Sequence, residues 1–251
     1  TIAEHTETLV MFGGINPKNS MVSMGGITEH QTAGWFDRFA EKGMTRINIG
    51  PQRSDAPEGC DWLPCRPGSD TALMLALAHV LEAEGLADDA FLDRYTAGYD
   101  RFRPYLMGEV DGTPKSPEWA APLTGISPEQ TRALARRMAS TRTLITVAWS
   151  LQRAEHGEQP YWMSAVLAAM LGQIGLPGGG VGYGYGAIGG IGKDFKPLGG
   201  MTLPQGGNKV SDVIPVARVA DMLRNPGQPY DFNGERRTYP DIRLVYWAGG
   251  N

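Results

Sequence analysis

Short apolar runs alternate with longer amphipathic stretches along this chain. Thr8-Leu9-Val10-Met11-Phe12 is apolar without helical spacing and stops at Gly13-Gly14, which predicts a buried parallel strand. Thr28 to Lys42 carries Trp35, Phe36 and Phe39 and ends at Gly43, the pattern of a helix with a glycine stop. Met44 to Ile49 predicts a second strand, with Gly50-Pro51-Gln52-Arg53-Ser54 as its exit loop. Strand, helix and strand in such a short stretch make a βαβ unit.

Asp61-Trp62-Leu63-Pro64 predicts a short third strand, and Arg66-Pro67-Gly68-Ser69-Asp70 leads into a helix from Thr71 to Glu84. Ser69 or Asp70 is the natural cap there. Helices are also expected over Ala87 to Tyr95, Asp100 to Val110, and from Ser127-Pro128-Glu129 to Met138. Leu144 to Ala148 is a β-branched strand, followed by a polar turn and a helix beginning near Gln159. Tyr161 to Ile174 is apolar on nearly every side, which marks a buried helix. Val213 to Asn225 reads as a helix, Tyr230 to Asp241 as a polar connection, and Ile242 to Trp247 as a last strand. The expected fold class is α/β: a Rossmann-like, mostly parallel sheet flanked by helices, one domain over 1–251, with a glycine-rich loop over 178–210.

In open α/β folds, ligands bind beyond the carboxyl ends of the strands. The turn after Ala148 carries Trp149, Ser150, Leu151, Gln152, Arg153, His156, Glu158 and Gln159, an inventory of donors and acceptors that a plain connection does not need. Lys18, after Asn16-Pro17, stands ready to meet an anion at the exit of the first strand. A nucleotide-binding unit often places an acidic residue at the end of its second strand; this chain has Gly50. Gly184-Tyr185-Gly186-Ala187-Ile188-Gly189 matches a phosphate-loop pattern, but no predicted strand precedes it and no helix follows, so the match is discounted.

Composition narrows this picture. Of 251 residues, 41% are hydrophobic and 20% charged, ordinary for a globular protein, and a net charge of −4 argues against a nucleic-acid partner. No apolar run reaches the ~20 residues that span a bilayer. Glu4 and Glu7 precede the first apolar run, unlike a signal peptide. Cys60 and Cys65 lack a second Cys/His pair at ligand spacing and are expected to be reduced thiols. The two ends suggest a piece of something longer, since residue 1 begins as though within a helix and Asn251 closely follows a strand.

Several motifs occur in one order: Asn16-Pro17-Lys18, Arg66-Pro67-Gly68-Ser69-Asp70, Trp149-Ser150-Leu151-Gln152-Arg153, His156-Gly157-Glu158-Gln159, Leu171 to Gly180, and Gly249-Gly250-Asn251. Together they resemble the molybdopterin oxidoreductases of the dimethyl sulfoxide reductase family, with the greatest similarity to the trimethylamine N-oxide and biotin sulfoxide reductases. The resemblance runs along essentially the whole chain and implies an interior domain binding one of two molybdopterin guanine dinucleotides. By position it assigns Lys18, Asn19, Pro51, Ser54, Pro67 and Asp70 to the guanosine and phosphates, with Gly50 also among the cofactor-binding positions. It assigns Trp149, Ser150, Leu151, Arg153 and Asn251 to the same dinucleotide nearer its pyrophosphate.

The family usually has Asp where this chain has Gly50, often Thr where it has Asn19, and commonly Met-His where it has Ala154-Glu155. The resemblance implies a bis(molybdopterin guanine dinucleotide)-molybdenum cofactor in an intact enzyme, with the metal-ligating serine upstream of residue 1. It therefore implies no catalytic or metal-ligating residue within this chain, and partners in the remaining domains of the polypeptide and a small-molecule oxide. Any export signal would also lie upstream. Two other readings stand beside it: a non-catalytic relative that kept the fold and lost the cofactor, and a nucleotide-dependent dehydrogenase. The second requires a glycine fingerprint after the first strand, which Gly13-Gly14-Ile15-Asn16-Pro17 is not.

Overall fold

The computed structural model describes residues 1–21, 30–185, 204, 206–207, 209–210 and 212–246. The chain separates into two compact units, 1–196 and 197–251. In the first, helix α1 (Ile2–His5) leads into strand β1 (Thr8–Phe12), and α2 (Thr32–Glu41) crosses to β2 (Thr45–Ile49). After β3 (Asp61–Leu63) come α3 (Asp70–Ala83), α4 (Asp89–Tyr95), α5 (Tyr99–Leu106), α6 (Pro117–Thr124) and α7 (Pro128–Ser140). The chain then returns through β4 (Thr143–Val147), α8 (Gln159–Met170) and β5 (Gly180–Tyr183).

The five strands form one parallel sheet in the order β3-β2-β1-β4-β5, with Val10 of β1 opposite both Ile47 of β2 and Ile145 of β4. Strand alternation sorts the apolar residues onto two covered faces. On one face Val10, Phe12, Ile49, Ile145 and Val147 pack with Leu73, Leu77 and Leu81 of α3, Met138 of α7 and Leu167 of α8. On the other, Leu9, Met11 and Leu144 meet Phe36 and Phe39 of α2 and Met44. Helix α3 is buried along most of its length, which explains its nearly continuous apolar sequence. Helix α7 starts with a reciprocal capping box between Ser127 and Gln130 and Pro128 in its first turn, satisfying backbone donors that the helix start would leave unpaired.

The α/β class and the parallel sheet agree with the sequence reading. Several local expectations need correction. Gly180–Tyr183 is a strand paired with β4, not part of a loop; most of the remaining expected loop lies outside the described residues. Helix α6 has no counterpart in the sequence reading, although Ser116 caps it by accepting from the Trp119 N–H at 3.3 Å. In the second unit the expected helix from Val213 to Asn225 shortens to a 3-10 turn, Val216–Arg218, and α9 (Val219–Arg224). The expected polar connection contains an antiparallel hairpin, β6 (Pro229–Phe232) with β7 (Glu235–Thr238). Its small core is Met222, Tyr230 and Tyr239, the two rings stacked at 4.3 Å. Residues 242–246 are not a strand, and Leu244 and Tyr246 are more than four-fifths exposed. An apolar run needs a neighbour to pair with, and this one has none among the described residues.

Candidate functional site

Strands β1 to β3 are laid down in one direction across the sheet, and the chain then comes back to add β4 and β5 on the other side of β1. The exits of β1 and β4 therefore lead away from each other and leave a crevice at the carboxyl edge, the place where open α/β sheets hold ligands. Two close approaches shape it. Gly13, with φ +75°, lies where a Cβ would come within 2.8 Å of Ala148 Cβ and 3.2 Å of Leu151 Cγ. Glycine is thus what lets the first residue after β1 lie against the foot of the central turn, before the two exits diverge. The central turn also folds on itself: a Cβ at Gly157 would sit 2.2 Å from the Gln152 carbonyl oxygen. Tyr161 anchors its base by donating to the Ala148 carbonyl at 2.8 Å.

The resulting recess, about 700 Å³, is lined from four chain segments, within the usual range of ligand pockets. Gly13 comes from the β1 exit, Gly50, Pro51 and Asp55 from the β2 exit, Arg66, Pro67 and Asp70 from the entry to α3, and Ser150, Leu151, Arg153 and His156 from the central turn. A 2.9 Å hydrogen bond from Asn16 Nδ2 to Asp55 Oδ1 ties the first two exits together.

Asp70 is the first residue of α3 and only 5% exposed. Burial pushes its carboxyl up from 3.8 to about 6, against the lowering effect of a hydrogen bond from its own backbone. A desolvated carboxylate facing a cavity is an acceptor in need of N–H donors. Arg153 is exposed and forms no ion pair or hydrogen bond through its guanidinium among the described residues. Its planar fork is free for a phosphate. Arg66 is occupied, donating to the Pro122 carbonyl. Cys65 is buried at the wall with its thiol pushed up to about 11 by desolvation, so it is a neutral surface at physiological pH. Among the described residues no group of His, Cys, Asp and Glu is arranged to hold a metal ion.

Of the residues singled out in the sequence, Gly50, Pro51, Pro67, Asp70, Ser150, Leu151 and Arg153 share this recess. Lys18 and Asn19 lie in the 3-10 turn Pro17–Met21 after β1, exposed at the same edge of the sheet but outside the lining. Ser54 is exposed on the β2 exit, also outside the lining. Trp149, 41% exposed, packs instead where Gly184 lacks a side chain; a Cβ there would be 2.3 Å from its Nε1. Asn251 lies outside the described residues. The middle arginines are surface groups: Arg103 pairs with Glu82, Arg132 with Glu118 and Arg136 with Glu84. Asn48, absent from the sequence candidates, is 1% exposed, and its Oδ1 has no hydrogen-bond partner. A carboxamide within β2, two positions before Gly50, was the available signal.

The family model for molybdopterin oxidoreductase matches residues 3–249. The chain belongs to the molybdopterin oxidoreductase family. This member is 49% identical to the biotin sulfoxide reductase of Cereibacter sphaeroides, with all of the chain covering 34% of that protein. It is 44% identical to the dimethyl sulfoxide/trimethylamine N-oxide reductase of Rhodobacter capsulatus, again over the whole chain and 32% of the relative. The chain thus spans about a third of the length of these curated relatives. Among solved structures, the acetylene hydratase from Pelobacter acetylenicus superposes with a TM-score of 0.52 at 22% identity, covering 68% of this chain and 22% of the hydratase. That likeness speaks for the fold alone. In a family of this kind the redox chemistry resides in the cofactor, and the polypeptide supplies binding, orientation and electrostatics.

Proposed function

We propose that this chain is the nucleotide-gripping part of a molybdenum oxidoreductase that reduces S-oxides or N-oxides by oxygen-atom transfer. Its ligand is one guanine dinucleotide arm of the molybdopterin cofactor, and its partners are the remaining domains of a longer polypeptide. When bound, the cofactor supplies the two-electron chemistry that removes oxygen from the substrate. The observation that carries the reading is the meeting of Asp70 and Arg153 at one recess above the strand-order reversal.

The chemistry of the donor set fits such an arm. Asp70 accepts from the paired N–H groups of a guanine edge, which replaces the water it lost on burial. Arg153 takes the pyrophosphate with two parallel hydrogen bonds, and Lys18 adds charge at the same edge of the sheet. Leu151, Pro51 and Pro67 give flat apolar walls that keep water from these contacts. Because the chain spans a third of its relatives, it performs no turnover alone in this reading.

The test is GDP binding by calorimetry. Arg153→Ala should weaken binding about tenfold or more, as expected for a lost charge-assisted hydrogen bond, whereas Arg132→Ala, remote from the recess, should leave it unchanged. Equal losses would remove the central turn from the site. No binding by the unmodified chain at millimolar GDP would favour a relative that has kept the fold and lost the cofactor, a reading to which Gly50 lends weight.

A further inference from the structure

Asn48 sits in β2 between Met11 of β1 and Trp62 of β3, on the strand face opposite Ile47 and Ile49. Its carboxamide is almost fully buried, and Oδ1 has no partner. Buried polar atoms in folded proteins are nearly always paired, so an orphan of this kind needs a reason. Two glycines define its surroundings. Oδ1 lies under Gly14, where a Cβ would approach it to 2.8 Å, and Gly14 has φ +74°. On the other side, a Cβ at Gly50 would lie 4.0 Å from Asn48 Nδ2 and meet no other atom within 4 Å outside its chain neighbours. Gly50 lines the recess, and Asn48 lies behind it, outside the lining. The missing side chain at 50 therefore leaves open space with the Asn48 amide at its foot.

We infer that Asn48 is a ligand-reading residue of the recess, its carboxamide taking the ribose hydroxyls of the bound nucleotide in the space that Gly50 leaves free. The inference rests on the nucleotide-binding reading above. Nδ2, the atom nearest the space at Gly50, is a donor, and a ribose hydroxyl oxygen can accept from it. The end of the second strand is where nucleotide-binding α/β units read ribose, ordinarily with an acidic side chain. Here a neutral amide set two residues deeper would do so, with the glycine as its access. Asp70, an acceptor only when ionised, stays with the base.

The experiment compares GDP with 2′,3′-dideoxy-GDP on the chain and two variants. The unmodified chain should prefer the ribose form about tenfold, the worth of one or two hydrogen bonds. Asn48→Leu, of similar volume, should bring that ratio near one while leaving the ligand-free melting temperature unchanged or higher, because an unpaired polar group has been removed. Gly50→Val keeps Asn48 and closes the space above it; it should abolish the preference in the same way, and it decides the matter if Asn48→Leu fails to fold. GDP binding with an unaltered tenfold preference in the variants, or with no preference in the unmodified chain, overturns the role of Asn48 alone. Failure of the unmodified chain to bind GDP overturns both readings.

Discussion

Replacing Asp70 by Asn separates the stability of the ligand-free chain from its capacity to bind. Asp70 is 5% exposed, and its carboxyl rises from 3.8 to about 6 because burial penalises the charged form. For an acid whose folded value lies above its unfolded one, the folded state holds the proton more tightly. Stability from this group is then highest below pH ~3.8, falls as pH rises through the window from ~3.8 to ~6, and is level above it. A difference of about two units corresponds to roughly 3 kcal/mol at pH 8 and about half that at pH 5. Asn keeps the shape and cannot ionise. It forfeits the favourable charge at the start of α3, worth about 0.3–1 kcal/mol. The net gain for Asp70→Asn is therefore about 2 kcal/mol at pH 8, shrinking to little or nothing by pH 4.

Urea unfolding of both proteins at pH 4, 5, 6 and 8 reads this difference directly, and the shared titrations of other groups cancel in the comparison. At neutral pH the same gain should raise the melting temperature by roughly 4–8 °C for a chain of this size. A gap between the two proteins that does not change with pH would refute the argument, as would a less stable variant at pH 8. Either result would mean that the carboxylate is solvated or paired. The same substitution should weaken GDP binding, since the ionised carboxylate is the proposed acceptor for the base. Loss of binding together with gain of stability is the signature of a group held at a functional site against its own folding preference.

Two further outcomes follow from the same geometry. Gly157→Ala drives a methyl to 2.2 Å from the Gln152 carbonyl, and should cost about 2–4 kcal/mol in urea unfolding; a cost below about 1 kcal/mol would mean that the central turn yields easily. Burial raises the thiols of Cys60 and Cys65 to about 11, so at pH 8 each is a thiolate about one part in a thousand of the time. Iodoacetamide should label both on the order of a hundredfold more slowly in the folded chain than in urea, and equal rates would show the thiols to be exposed.

Much of this protein was legible as pattern. The apolar run Thr8 to Phe12 is β1 residue for residue, and the capping signal at Ser127-Pro128 opens α7 where it stands. Such features are local, set by side-chain period and backbone capping within a few residues, and the ordered motifs carried the family with them. What the pattern misjudged depended on partners distant in sequence. Gly180–Tyr183 has almost no hydrophobic signal, yet it is a strand because β4 offers an edge. The apolar residues 242–246 are not a strand, for they lack such an edge among the described residues. Strand order, and hence which exits share one rim, is a property of pairing and not of any single segment. Desolvation is likewise collective: Asp70 reads as a helix-start residue in sequence, and only the walls packed around it raise its pKa. Asn48 is one of several polar residues in β2, and only the sheet, which brings Gly14 over it, leaves its Oδ1 buried without a partner.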